Sequence, residues 1–67
     1  MTVKAFPLGD YWDAVEYHDV TSFHTRIHHG RVQIVFSFYG ANAYGMMKRQ
    51  MAYIDPSQVS VEVCEED

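Results

Sequence analysis

Residues 20–39 read V-T-S-F-H-T-R-I-H-H-G-R-V-Q-I-V-F-S-F-Y, two strand-like runs that meet at His29-Gly30. Treating His29-Gly30 as a two-residue turn, with Gly30 supplying the positive φ such turns need, sets the register of both runs. His28 then faces Arg31, and each step back pairs residues one further out. One face carries Ile27 with Val32, Thr25 with Ile34, Phe23 with Phe36 and Thr21 with Phe38, apolar or β-branched at every position. The other carries His28 with Arg31, Arg26 with Gln33, His24 with Val35, Ser22 with Ser37 and Val20 with Tyr39. A slip of one residue would mix the two faces, so the pattern strongly specifies one pairing. Cross-strand aromatic and β-branched pairs add roughly 0.2–1 kcal/mol each.

Around this hairpin the chain has room for little else. At 67 residues it forms one domain, and a chain of this size buries only about 60% of the surface it exposes when unfolded. Residues 2–6 alternate as a first strand, with Val3 and Ala5 on one face. Pro7-Leu8-Gly9-Asp10 punctuates it. Asp10 is placed to cap one or two helical turns over residues 11–18, the favoured reading; the alternative is that residues 15–19 run extended into the hairpin. Residues 40–45 hold two glycines and an Asn, a loop composition. Residues 47–54 read as a strand with Met47, Arg49, Met51 and Tyr53 on one side. Asp55-Pro56-Ser57-Gln58 is a turn, with Pro56 at its second position. Residues 59–63 form an alternating strand, with Val59, Val61 and Val63 inward and Ser60 and Glu62 outward. Residues 64–67 read as a frayed acidic tail.

The expected fold is therefore mainly β: an antiparallel sheet or a small open barrel of SH3-like type, with four or five strands and at most one short helix. The alternative is α+β, with a helix over residues 41–53 packed on a three- or four-stranded sheet. An open sheet this small leaves edges for a second copy to cover, so a homodimer is a natural partner state.

Charge is distributed in blocks. Residues 1–19 sum to −3, residues 20–54 contain no carboxylate and sum to +4, and residues 55–67 sum to −5. This layout suggests a bipolar surface. Its acidic part is built from Asp10, Asp13, Glu16 and Asp19 together with Glu62, Glu65 and Glu66, with Tyr11 and Trp12 as aromatic anchors. Such a patch repels nucleic acid and attracts basic protein surfaces. The competing reading places nucleic acid on the basic middle, through Arg26, Arg31, Lys48 and Arg49. The overall acidity, with a pI near 5.4, speaks against it.

Catalysis has no foothold in the sequence. No nucleophile motif and no phosphate-binding glycine fingerprint is present, and a chain this short has little room for a pocket of several hundred cubic ångströms. His24 and His28 on one strand stand about 13 Å apart, too far to share a metal. No cofactor and no metal is expected. Cys64 is the single cysteine, which excludes a disulfide within the chain and suits a reducing, cytoplasmic setting. The longest apolar run, residues 51–54, is far too short for a membrane span. The sequence thus points to a small, acidic, non-enzymatic interaction module. Its size and charge suit an inhibitor or adaptor of the kind carried by phages and mobile elements, one that blocks a basic, nucleic-acid-binding host surface by mimicking nucleic acid.

Overall fold

The computed structural model describes residues 1–8 and 13–65. Among these, the chain is all strand, with no helix: β1 (Thr2–Pro7), β2 (Val15–Tyr17), β3 (Thr21–His28), β4 (Arg31–Ala41), β5 (Met47–Ile54) and β6 (Val59–Cys64). They form two antiparallel three-stranded sheets, ordered β2-β1-β6 and β3-β4-β5, and do not close into a barrel. The mainly-β expectation holds, with β5 where the alternation of residues 47–54 put it. The α+β alternative does not. Residues 31–41 and 47–54 are consumed by β4 and β5, which pair through eight consecutive positions from Ile34↔Ile54 to Ala41↔Met47.

The strand count rises to six because residues 15–17, read as part of a short helix, are extended. Val3, Lys4 and Ala5 pair with Tyr17, Glu16 and Val15. Strand alternation turns the Tyr17 ring inward, where its centroid lies 5.1 Å from that of Phe36 and 4.8 Å from that of Phe38, edge to face in both cases. Those contacts, worth roughly 0.5–1.5 kcal/mol each beyond area burial, favour the extended form over an isolated short helix, which is marginal in water. The capping role read for Asp10 lies outside the described residues.

The two sheets meet on a small core of Val3, Ala5, Val20, Phe36, Ala52 and Ile54, with Tyr17, Phe23, Ile34, Phe38, Val59 and Val61 packed around it. Phe36 is completely buried and stacks on Phe23 at 5.8 Å. Val63, expected to face inward, is 44% exposed. It lies near the end of β6, an edge strand, where only one flank is covered.

The central hairpin forms in the expected register from His28↔Arg31 to His24↔Val35. Its turn has His29 at φ 51° and Gly30 at φ 75°, the left-handed pair that makes a two-residue turn follow the strand twist. Beyond His24 the register departs from expectation. Thr21 pairs with Ser37, not Phe38, across an irregularity, and Ser22 adopts φ 57°. One extra residue in β3, a bulge, reverses the facing of what precedes it. The cause lies in the side chains. Unbulged pairing would point Thr21 into the core and Val20 into water; the bulge buries Val20, 4% exposed, and turns Thr21 outward.

The hairpin's apolar face is also only half used. Phe23 and Phe36 at its root join the core, but Ile27 and Val32 near the tip are 72% and 47% exposed.

Candidate functional site

Among the described residues, those named from sequence do not gather into one patch. Asp10, Tyr11, Trp12 and Glu66 lie outside the described residues. Glu16 and Glu62 share the outer face of the first sheet, but the register sets Lys4 between them, opposite both. Lys4 Nζ reaches Glu16 Oε1 at 3.6 Å. Cys64 Sγ donates to Glu62 Oε1 at 3.8 Å. Asp13 and Glu65 are exposed, before β2 and after β6. Asp19 lies on the other side, where its Oδ2 accepts from Arg49 Nη2 at 2.9 Å. Asp19 thus neutralises part of the basic middle.

The basic residues are tied down in the same way. Arg31 Nη1 lies 3.5 Å from Asp55 Oδ2. Arg49 Nη1 donates to Ser37 Oγ at 2.9 Å, to the Asp19 carbonyl at 3.1 Å and to Thr21 Oγ1 at 3.3 Å. Arg26 Nε donates to Gln33 Oε1 at 2.8 Å, and its guanidinium carbon sits 5.2 Å from the centroid of Tyr53. Lys48 is opposite Gly40, on the face of the second sheet turned away from these three arginines.

What the structure does assemble is the outer face of the second sheet. Register puts Val35 and Ser37 on this face of the central strand, flanked by His24 and Thr21 on β3 and by Tyr53 and Met51 on β5. Val35 and Ser37 are buried although they point away from the core. Two arginines account for much of this. Arg26 reaches from β3 across β4 to Tyr53, and Arg49 reaches back from β5 across β4 to Thr21. Around them stand Tyr39, Met47, Met51 and Tyr53, each 44–57% exposed. At the adjoining β4–β5 loop, Tyr44 is 88% exposed. Asn42 organises that loop: its Oδ1 accepts from the N–H of Tyr44 at 2.8 Å and of Met46 at 3.1 Å, and Gly45 supplies φ 77°.

Sequence reasoning named Arg26 and Arg49 but passed over the tyrosines and methionines between them. A signal was present: alternation in residues 47–54 aligns Met47, Arg49, Met51 and Tyr53, and the hairpin register puts Tyr39 on the polar face. Only the sheet shows that these two rows are neighbours.

An open groove of about 500 Å³ lies at the hairpin tip, lined by Arg31, Val32, Asp55, Pro56, Ser57 and Gln58. It is larger than the short chain led one to expect. Asp55 holds this turn together: its Oδ1 accepts from the Ser57 hydroxyl at 2.7 Å and the Ser57 N–H at 2.9 Å. These two bonds, helped by Arg31, hold its carboxyl below the ordinary aspartate pKa. Among the described residues, no three His, Cys, Asp or Glu side chains come together as a metal site, and no helix is long and apolar enough to cross a membrane.

Fold and face together define a small two-sheet β module with one exposed Tyr/Met/Arg surface. Comparisons with family models, with curated proteins and with solved structures return no match to this chain.

Proposed function

We propose that this chain is a non-enzymatic protein-interaction module, an inhibitor or adaptor that works by occupying a partner's surface with the outer face of its second sheet. The observation that carries this reading is the row of half-exposed Tyr39, Met47, Met51 and Tyr53 beside Arg26 and Arg49. Tyr, Met and Arg are the side chains enriched at protein interfaces, whereas Lys, Glu and Asp are depleted there. Tyrosine and arginine also dominate the binding energy where it has been dissected. The arginines are held in place before any partner arrives, which lowers the ordering cost of binding.

This shifts the contact away from the acidic flanks. Among the described acidic residues, Lys4 stands between Glu16 and Glu62, and Asp19 is bound to Arg49, which weakens the case for these three as a contact for a basic partner. The outer face of the second sheet suits a partner that presents apolar side chains fringed by carboxylates. A nucleic-acid role draws less support, because Arg31 and Arg49 already have carboxylate partners and Lys48 faces the other way.

The test is site-specific photocrosslinking in the source cell. A crosslinker at Met51 should trap a discrete protein partner, and Tyr39→Ser/Tyr53→Ser should abolish the adduct while Glu16→Gln/Glu62→Gln leaves it. Trapping from a probe at Glu62 alone would return the contact to the acidic flanks. Micromolar, salt-sensitive binding to single-stranded nucleic acid, lost in Arg26→Glu, would replace the protein reading with the nucleic-acid one.

A further inference from the structure

Among the described residues the two sheets end in four edge strands, β2, β6, β3 and β5, and three of them are blunted. β2 is three residues long. β3 is interrupted by the bulge at Ser22. β6 carries Glu62 and runs into Glu65, so a second copy there would bring carboxylates together. β5 is neither short, bulged nor acidic; its charges are Lys48 and Arg49, and Arg49 is already bound to Asp19. The strand is eight residues long, regular against β4 throughout, and free of proline and carboxylate. Natural sheets normally protect such an edge, because its unpaired N–H and C=O groups template another strand.

Which backbone groups are free follows from the ladder. The Asn42 N–H donates to the Met46 carbonyl at 2.9 Å, so residues 42 and 46 are a hydrogen-bonded pair. Hydrogen-bonded and non-hydrogen-bonded pairs alternate along an antiparallel ladder. In this register Lys48, Gln50, Ala52 and Ile54 therefore turn their backbone groups to β4. Met47, Arg49, Met51 and Tyr53 turn theirs to the open edge. The Tyr39 N–H, which this alternation directs away from β5, indeed goes to the His18 carbonyl at 3.1 Å.

We infer that β5 pairs with β5 of a second copy, antiparallel about a two-fold axis at Gln50. Opposed residues must share a face, which restricts the axis to a residue rather than a point between two. An axis at Gln50 keeps most of the strand in register. It makes hydrogen-bonded pairs of Met47 with the second copy's Tyr53 and of Arg49 with its Met51, each formed twice. Lys48 falls opposite Ala52. No two like charges stand opposed, and Arg49 already has its own Asp19 at 2.9 Å. The result is a six-stranded sheet whose outer face carries two Tyr/Met/Arg rows side by side. This goes beyond the partner-binding reading: pairing uses the edge of β5 and leaves the face open.

The experiment uses the full chain with Cys64→Ser. Gln50→Cys places the new thiol on the axis, opposite its copy, where non-hydrogen-bonded partners have Cα atoms about 4.5 Å apart, within disulfide range. Lys48→Cys puts the two thiols about 14 Å apart along the strands. The expected result is a two-chain mass in sedimentation and near-complete oxidation to a cross-linked dimer for Gln50→Cys, at least ten times faster than for Lys48→Cys. Met51→Lys, which sets a second cation opposite Arg49, should give single chains with an unchanged far-ultraviolet spectrum. A single-chain mass at every soluble concentration overturns the inference, as does equally fast cross-linking of the two cysteine variants. Neither outcome decides the partner-binding reading: Met51 and Tyr53 belong to both, but a self-adduct has twice the mass of this chain, a different partner does not, and Tyr39, away from the edge, enters only the partner-binding reading.

Discussion

The inner and outer faces of the second sheet share one backbone and the same alternation, yet their side chains meet different surroundings. Inward, Phe36 is sealed among Tyr17, Phe23 and Phe38, and Ala52 and Ile54 close the layer. Outward, the adjacent positions hold Val35 and Ser37 under two arginines, ringed by side chains that remain half in water. A small domain can bury only one face of each sheet with two layers. The outer face must then be polar, strapped or used, and here it is strapped along the middle and left apolar along β5.

The contrast can be broken most directly at Phe36. Phe36→Ala should cost about 3–5 kcal/mol, a large part of the roughly 3–10 kcal/mol expected for a domain this size, so urea titration should find the variant largely unfolded. Tyr53→Ala, on the other face of the same sheet, should cost no more than about 1 kcal/mol. Comparable losses would mean that the outer face contributes to stability as much as the core does.

Arg49 tests whether the strap is structural. Arg49→Met removes the bond to the part-buried Ser37 hydroxyl and those to Thr21 and Asp19, and should cost about 1–2 kcal/mol. The exposed ion pair itself contributes little of this. Arg49→Lys should not restore it, since an ammonium cannot span these acceptors as a planar fork does. Recovery of the midpoint in Arg49→Lys would reduce the strap to simple charge.

Smaller effects belong to the turns that frame the sheet. His29 sits at φ 51°, which asparagine tolerates better, so His29→Asn should raise stability by about 0.5 kcal/mol in denaturant titration. A loss instead would mean that the His28–His29 ring contact at 4.1 Å outweighs backbone strain. At the Asp55 turn the pKa is lowered, so its bonds contribute above the ordinary aspartate range and are lost as pH falls below about 4 and through the folded value. Amide exchange at Ser57, corrected for intrinsic rates, should accelerate below that pH, and Asp55→Ala should remove the dependence.

Much of the architecture was legible because it is local. The His29-Gly30 turn, the tip register from His28 to His24, β5 and the 55–58 turn all follow from alternation and turn chemistry. The bulge at Ser22 was not legible: whether Val20 or Thr21 faces inward depends on what the first sheet brings against them. For the same reason local pattern favours a helix over residues 11–18 where the extended alternative forms at β2, since Tyr17 is drawn into strand geometry by Phe36 and Phe38, which are distant in sequence. The candidate site was half visible. Arg26 and Arg49 stood out as charges, but their value as straps depends on Tyr53, Ser37 and Asp19 arriving from other strands.

Near-neighbour pattern suffices for a β protein built on one hairpin, its turn and its blocks of charge, because side-chain period and turn φ act between residues close in the chain. Tertiary structure alone decided which half of the hairpin's apolar face is core, where the acidic flanks spend their charge, and that tyrosines and methionines from two strands share one outer face. Those outcomes depend on which sheet covers which residue, and cover is set by contacts between segments that the chain's local pattern does not encode.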